Sequence, residues 1–292
     1  MTSKQKALVE ITIIYIIIGI SGVLSYEYID VGNRIWNMFI ADVVMTVVCY
    51  IFSVIKKNTS TYDAYWSVIP FYLLVGFYFY LGGGHWKLPQ WSAAFVISFW
   101  SWRLTLSWAR GWPGWHHEDF RYENFRNKFG KGFEPINFLA LHFYPTVIVF
   151  LSFWGMTYVF DYKSLFVGMK QLPFYFYIGA LMSFIGGIFE LLADNELDKF
   201  RKRSNPQKSD ILRTGIWGKS RNPNYLGEMM FWFGLAIMAY AYNAPWYAAL
   251  GSVGMWAMFM FASIPLKDAQ MMKNRPEAFK KYKDEVSRVL PF

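Results

Sequence analysis

The chain of 292 residues has one cysteine, Cys49, so no disulfide can form within it and no cysteine-based metal site is available. Charge is scarce as well. Asp, Glu, Lys and Arg make up 17% of the residues, where a soluble domain carries about 25%. There is no G-x-G-x-x-G, no G-x-x-x-x-G-K-[ST] and no H-E-x-x-H, so neither soluble nucleotide fold nor a zincin site is indicated. Internal repeats and low-complexity segments are missing too. His116 and His117 are neighbours that point apart on a helix, and no metal is expected.

What is abundant is grease. Hydrophobic residues reach 55% and aromatic residues 21%, which excludes a disordered chain. A bilayer core is about 30 Å thick and needs a helix of roughly 17–25 apolar residues. Eight stretches qualify: 7–25, 36–55, 65–81, 89–109, 136–159, 172–193, 223–243 and 245–265. The last two are separated only by a turn around Asn243 and Pro245 and predict a helical hairpin. The first is longer than a signal-peptide core and lacks a clear cleavage site, so it reads as a retained anchor.

The expected fold is therefore all-α, a polytopic membrane bundle of about eight helices with both termini cytosolic. Charge placement favours that count. With eight spans, 24 of the 29 basic residues fall on the side of the termini. Only Arg34, Lys87, Lys163 and Lys170 fall on the other, and Arg103 lies inside a span. This is the positive-inside asymmetry. The net charge of +9 thus marks topology, and no nucleic-acid partner is expected. The chain divides at about residue 60: helices 1 and 2 lie in 1–60, and the remaining membrane domain with its cytosolic loops lies in 61–292.

Ionisable groups within a membrane are costly unless paired or facing a polar cavity. Glu10, Asp42, Arg103, Glu190 and Glu228 are in that position. Glu10 is near a helix end, and Asp42 and Arg103 are placed to pair with each other. Glu190, Asp194, Leu197 and Arg201 recur on one helical face as that helix leaves the bilayer. A loop with Arg213, Trp217, Arg221 and Asn222 follows. Pro223 then opens a helix bearing Asn224 and Tyr225 in its first turn and Glu228 one turn deeper. Arginine forks suit phosphate, and a helix N-terminus adds exposed N–H donors. The cluster is suited to a phosphate-bearing ligand from the cytosol.

Residues 190–228, with Asp194, Phe200-Arg201, Gly215-Ile216-Trp217 and Ser220-Arg221-Asn222-Pro223-Asn224-Tyr225-Leu226-Gly227-Glu228, resemble the C-terminal region of the steroid 5α-reductase superfamily, in particular a microbial membrane branch. Tyr62-Asp63-Ala64-Tyr65-Trp66-Ser67 fits that branch too. So do Trp102-Arg103-Leu104, the segment from Arg110 to Glu118-Asp119-Phe120-Arg121-Tyr122, and the tail from Arg275-Pro276-Glu277 through Tyr282 to Leu290-Pro291-Phe292.

The resemblance implies an NADPH-dependent reductase of a conjugated carbon–carbon double bond in a lipophilic substrate that enters from the bilayer. It implies a cofactor site of Asp194, Arg201, Arg221, Asn224, Tyr225 and Glu228, with Arg103 and Arg110 from the fourth helix, Trp217 and Asn222 as wall and amide contacts, and Asp268 closing over the nicotinamide half. The steroid enzymes grip the carbonyl with an early acidic residue and a tyrosine three residues before the matching arginine. Here Trp100 stands at that tyrosine position, and Asp63 and Tyr65 are the catalytic candidates. A steroid, another enone or an unsaturated lipid all remain open as substrate.

Two other readings stand beside it. Isoprenylcysteine carboxyl methyltransferases resemble the same region and use S-adenosylmethionine, which has no phosphate. A transporter or structural membrane protein is the non-enzymatic alternative. From Pro276 onward, Phe279, Tyr282, Val286 and Leu290 share a face, as in an amphipathic helix that either docks or covers the cofactor.

Overall fold

A computed structural model of the protein describes residues 1–161, 172–203 and 210–291. Lys163, Lys170, Lys208 and Phe292, which enter the sequence reading, lie outside them. The described residues form helices and turns with no strand. The main helices are α1 (Ser3–Tyr28), α2 (Arg34–Lys56), α3 (Thr61–Gly76) with a π-helical extension Phe77–Leu81, and α4 (Leu88–Gly111). A loop leads to α5 (Phe120–Phe129) and α6 (Phe133–Ile136), which run through a π-helical turn Asn137–Phe143 into α7 (Tyr144–Phe160). After α8 (Phe174–Arg201) and α9 (Pro223–Ala241) come α10 (Leu250–Met258), a π-helical turn Phe259–Ser263, α11 (Ile264–Asn274) and α12 (Pro276–Glu285).

Six of these helical runs are long and apolar enough to cross a membrane: Ser3–Tyr28, Arg34–Lys56, Thr61–Leu81, Phe120–Phe160, Phe174–Arg201 and Trp246–Asn274. Helices α4 and α9 cover the other two expected spans but are not among the six. They are the helices that carry Arg103 and Glu228. Their polar groups are enclosed by the bundle, so what looked like spanning grease is partly the wall of a site.

Local chemistry explains the ends. The Asn33 side chain caps α2 by accepting from Ile35 and Trp36 N–H. Pro223 stands at the first turn of α9, where its missing N–H costs nothing. Asn243 takes a left-handed φ of 57° and turns the expected hairpin between α9 and α10.

The most intimate contact is α8 against α9. Gly179 and Gly186 face Gly234 and Gly227, and a Cβ on any of the four would run into backbone of the facing helix. Small residues seven apart on both helices let the backbones touch. At the end of this seam a Cβ on Gly227 would meet Glu190, so the seam also delivers the α8 acid to the level of Glu228. Helix α12 buries Phe279 and Tyr282 against Ile211, Met271 and Val286. Its apolar face is spent on the protein, while Leu290 is exposed.

Candidate active site

Helices α3, α4, α5, α8 and α9 and both π-helical turns after α6 and α10 enclose a cavity of about 740 Å³. The π-helical turns bring Ala140, Leu141, Phe259 and Ala262 to its wall. Such turns widen a helix by one residue and recur at functional sites. Of the expected face of α8, Asp194, Leu197 and Arg201 line the cavity, and Glu190 does not. Arg110, Tyr225 and Asp63 join them from three other helices. Tyr225 is stacked on Phe259 with centroids 4.7 Å apart. The Arg110 and Arg201 side chains are exposed, and their guanidinium groups make no hydrogen bond or ion pair with the described residues.

Beside the cavity lies a closed charge cluster. Buried Arg103 donates to Asp194 at 3.2 Å and forms a short ion pair with Glu190. Glu228, also buried, accepts from the Trp100 indole at 2.9 Å. Trp100 is stacked on Phe231, with ring centroids 4.4 Å apart. The pairing expected between Asp42 and Arg103 is not formed. Arg103 meets the α8 acids instead, because the glycine seam and α4 packing bring Glu190 and Asp194 to it. Trp100, which stands where the steroid enzymes carry tyrosine, is an anchor for Glu228 and does not line the cavity. One arginine among three acids is a surplus of negative charge, which needs protons or a cation to balance it. Glu10, at the helix end, pairs with Lys56 at 2.6 Å and accepts from Trp115 at 3.0 Å.

A third group of expected site residues is held by the C-terminal segment. Arg221 faces Asp268 at 3.5 Å. Lys267 donates to Asn222 Oδ1 at 2.8 Å, and Asn222 Nδ2 donates to the Arg288 carbonyl at 2.8 Å. The Trp217 indole donates to the Ala193 carbonyl, capping the inner turn of α8's exit. The Tyr282 hydroxyl donates to the Trp217 carbonyl at 2.5 Å. Burial pushes that hydroxyl up to about 12, so it stays a donor at neutral pH. None of Trp217, Arg221, Asn222, Asn224, Glu228 and Asp268 lines the cavity directly. Lys267 ties this group to it: its amino group is 5.0 Å from the Trp217 ring and 5.8 Å from that of Tyr225.

The catalytic candidates separate. Asp63 is on the cavity wall, where its Oδ1 accepts from the Tyr122 hydroxyl at 2.6 Å, with Arg121 at 3.9 Å. Tyr65 is fully buried, away from the cavity, within a hydroxyl network. Tyr122 and Arg121 were missed as site residues. They sit in the segment Glu118–Tyr122, whose acids, arginine and tyrosine in five residues were the available signal.

Several buried polar atoms make no hydrogen bond with the described residues: Arg221 Nε, Arg103 Nε and Asn224 Oδ1. Arg110 and Arg201 offer forks to phosphate, and Asn224 Oδ1 is an acceptor suited to a primary amide.

A family model described as a protein of unknown function, DUF1295, matches residues 49–286. The chain belongs to the DUF1295 family. The DUF1295 match begins late in α2 and takes in the cavity, the charge cluster and the C-terminal docking contacts. The chain is similar to an uncharacterized protein, C594.04c, of Schizosaccharomyces pombe, with 26% identity over 285 residues, covering 89% of this chain and 76% of the relative. No solved structure gives a significant match.

Proposed function

We propose that this protein is a multi-pass membrane reductase that uses NADPH to saturate a conjugated carbon–carbon double bond in a lipophilic substrate, with its cofactor side facing the cytosol. The observation that carries this is the cavity itself. It joins two unengaged arginines, Arg110 and Arg201, to apolar walls of Leu104, Trp108, Met258 and Leu266. Such a space suits an anionic cofactor next to a greasy substrate. The resemblance of residues 190–228 to the steroid 5α-reductase superfamily supports the same reading, as does the positive-inside placement of the loops.

The cofactor supplies hydride when bound. Arg110 and Arg201 hold phosphate, and Tyr225 packs against the cofactor from α9. Asp63 and Tyr122 form the polar grip for the substrate carbonyl: when Asp63 carries a proton and donates it to the Tyr122 oxygen, the Tyr122 hydroxyl is released to donate to the carbonyl as charge develops on it. The aromatic walls exclude water from the reacting carbons.

The acid surplus around Arg103 favours one other reading, a methyltransferase, because S-adenosylmethionine carries a positive sulfonium that Asp194 could face. Quenching of tryptophan fluorescence in the purified protein separates the two. Saturable quenching by NADPH, and none by S-adenosylmethionine, is expected. The reverse pattern would replace the reductase with the methyltransferase.

A further inference from the structure

Asp42 is a carboxyl with no visible employment. It sits in mid-α2, fully buried, and neither oxygen has a hydrogen-bond partner among the described residues. Among the described residues no Lys, Arg or His forms an ion pair with it. An ionised carboxylate in that position would stand uncompensated in an apolar bundle, so the group keeps its proton. Groups of this kind in membrane proteins commonly belong to proton paths.

The neighbours of Asp42 form such a path. Thr46 follows one turn later on the same helix face. Its hydroxyl is 2.9 Å from the Thr146 hydroxyl and 3.5 Å from that of Tyr65. Thr146 is 2.8 Å from the Tyr62 hydroxyl, and Tyr62 lines the cavity. Asp42 is close enough to Tyr62 and Tyr65 to act on both electrostatically. The other titratable neighbours of the network are Cys49 on α2 and His142. The His142 ring meets Tyr62 edge-on at 4.9 Å. Its Nδ1 faces the Asn137 carbonyl, which leaves Nε2 a bare acceptor. All of these groups are buried, and Tyr62 is the hydroxyl of the network that lines the cavity.

We propose that Asp42 is a buried proton store wired to the cavity through the hydroxyls of Thr46, Thr146 and Tyr62. The first step of this path joins the carboxyl to the Thr46 hydroxyl one helical turn away. The use assigned to this store rests on the reductase reading. Hydride addition to one carbon of the double bond leaves an electron pair on the other. That pair takes the Tyr62 hydroxyl proton. Tyr62 is recharged from Thr146, whose hydroxyl turns away from the His142 carbonyl to which it donates at 2.9 Å, Thr146 from Thr46, and Thr46 from Asp42. Asp42 is then the carboxylate until a proton returns from cavity water along the same hydroxyls. The net reaction consumes one hydride and one solvent proton. Tyr65 branches from the chain at Thr46 and positions it.

Infrared spectroscopy of the reconstituted protein tests the store without any cofactor. The wild type should show the carbonyl stretch of a protonated carboxyl that Asp42→Asn removes. On transfer to deuterium oxide that band should shift, and about tenfold more slowly in Thr146→Val and in Thr46→Val, which break the chain at two points. If Asp42→Asn removes no such band, the carboxyl is ionised or holds a cation, and the proposal falls. Equal exchange in the wild type and both valine variants also overturns it. A parallel NADPH titration of the wild type isolates the function: no NADPH binding sinks the reductase reading while the infrared result still decides the store. Where NADPH is oxidised by a medium-chain enone probe, Asp42→Asn should slow that rate by about a hundredfold with NADPH affinity unchanged. An unchanged rate removes Asp42 from the reaction.

Discussion

The charge cluster at Arg103 and the cavity next to it are built from the same residue types, yet they are opposite in kind. In the cluster, Arg103 is enclosed and engaged by Glu190 and Asp194. In the cavity, Arg110 and Arg201 stand on exposed wall with no engaged partner among the described residues. Asp194 belongs to both, since it accepts from Arg103 and lines the cavity. The lesson is that an arginine count measures nothing until partners are known. The enclosed arginine holds helices together, and the open ones are available to a ligand.

Four changes would break or sharpen that contrast. Arg103→Ala should have the largest effect. It strands the buried Glu190 and the half-buried Asp194 and should cost about 3–5 kcal/mol, read as a large loss of thermal stability in detergent. A small loss would show that the cluster is not structural. Arg201→Ala should leave the melting temperature unchanged and weaken NADPH by about 1.5–3 kcal/mol, or roughly ten- to a hundredfold, in a fluorescence titration. Equal NADPH affinity in this variant would move the phosphate site elsewhere. Gly227→Ala forces α8 and α9 apart beside Glu190 and should destabilise by about 1–3 kcal/mol. Because both regions hang on that seam, its NADPH affinity should fall as well. Tyr282→Phe removes the hydrogen bond to the Trp217 carbonyl, which should cost about 0.5–1.5 kcal/mol. NADPH affinity that stays constant there marks the C-terminal helix as a clasp; a clear drop marks it as part of the site.

Much of the framework was legible in the residues. The spans at 7–25 and 36–55 are helices α1 and α2, and the turn at Asn243 and Pro245 is where it was expected. The face of Asp194, Leu197 and Arg201 is one face because helical spacing makes it so. The site was legible in part. Asp63, Arg110, Asp194, Arg201 and Tyr225 meet at the cavity, whereas Trp217, Arg221, Asn222 and Asp268 meet the C-terminal segment instead. Arginine and asparagine near a helix N-terminus look alike whether their partner is a ligand or a group far along the chain, as the Arg288 carbonyl is for Asn222. Gly179, Gly186, Gly227 and Gly234 went unread, although their equal spacing on successive helices was present in the sequence.

By itself the sequence determined the helical class and the apolar lengths. Those depend on spacing along the chain and on the thickness of a membrane, which are local and one-dimensional. Only the tertiary structure decided that Arg103 takes Glu190 rather than Asp42, that Tyr122 is aimed at Asp63, and that the hydroxyls of Thr46, Thr146 and Tyr62 meet. These are choices among partners of equal chemistry, and only close packing of helices distant in sequence selects between them.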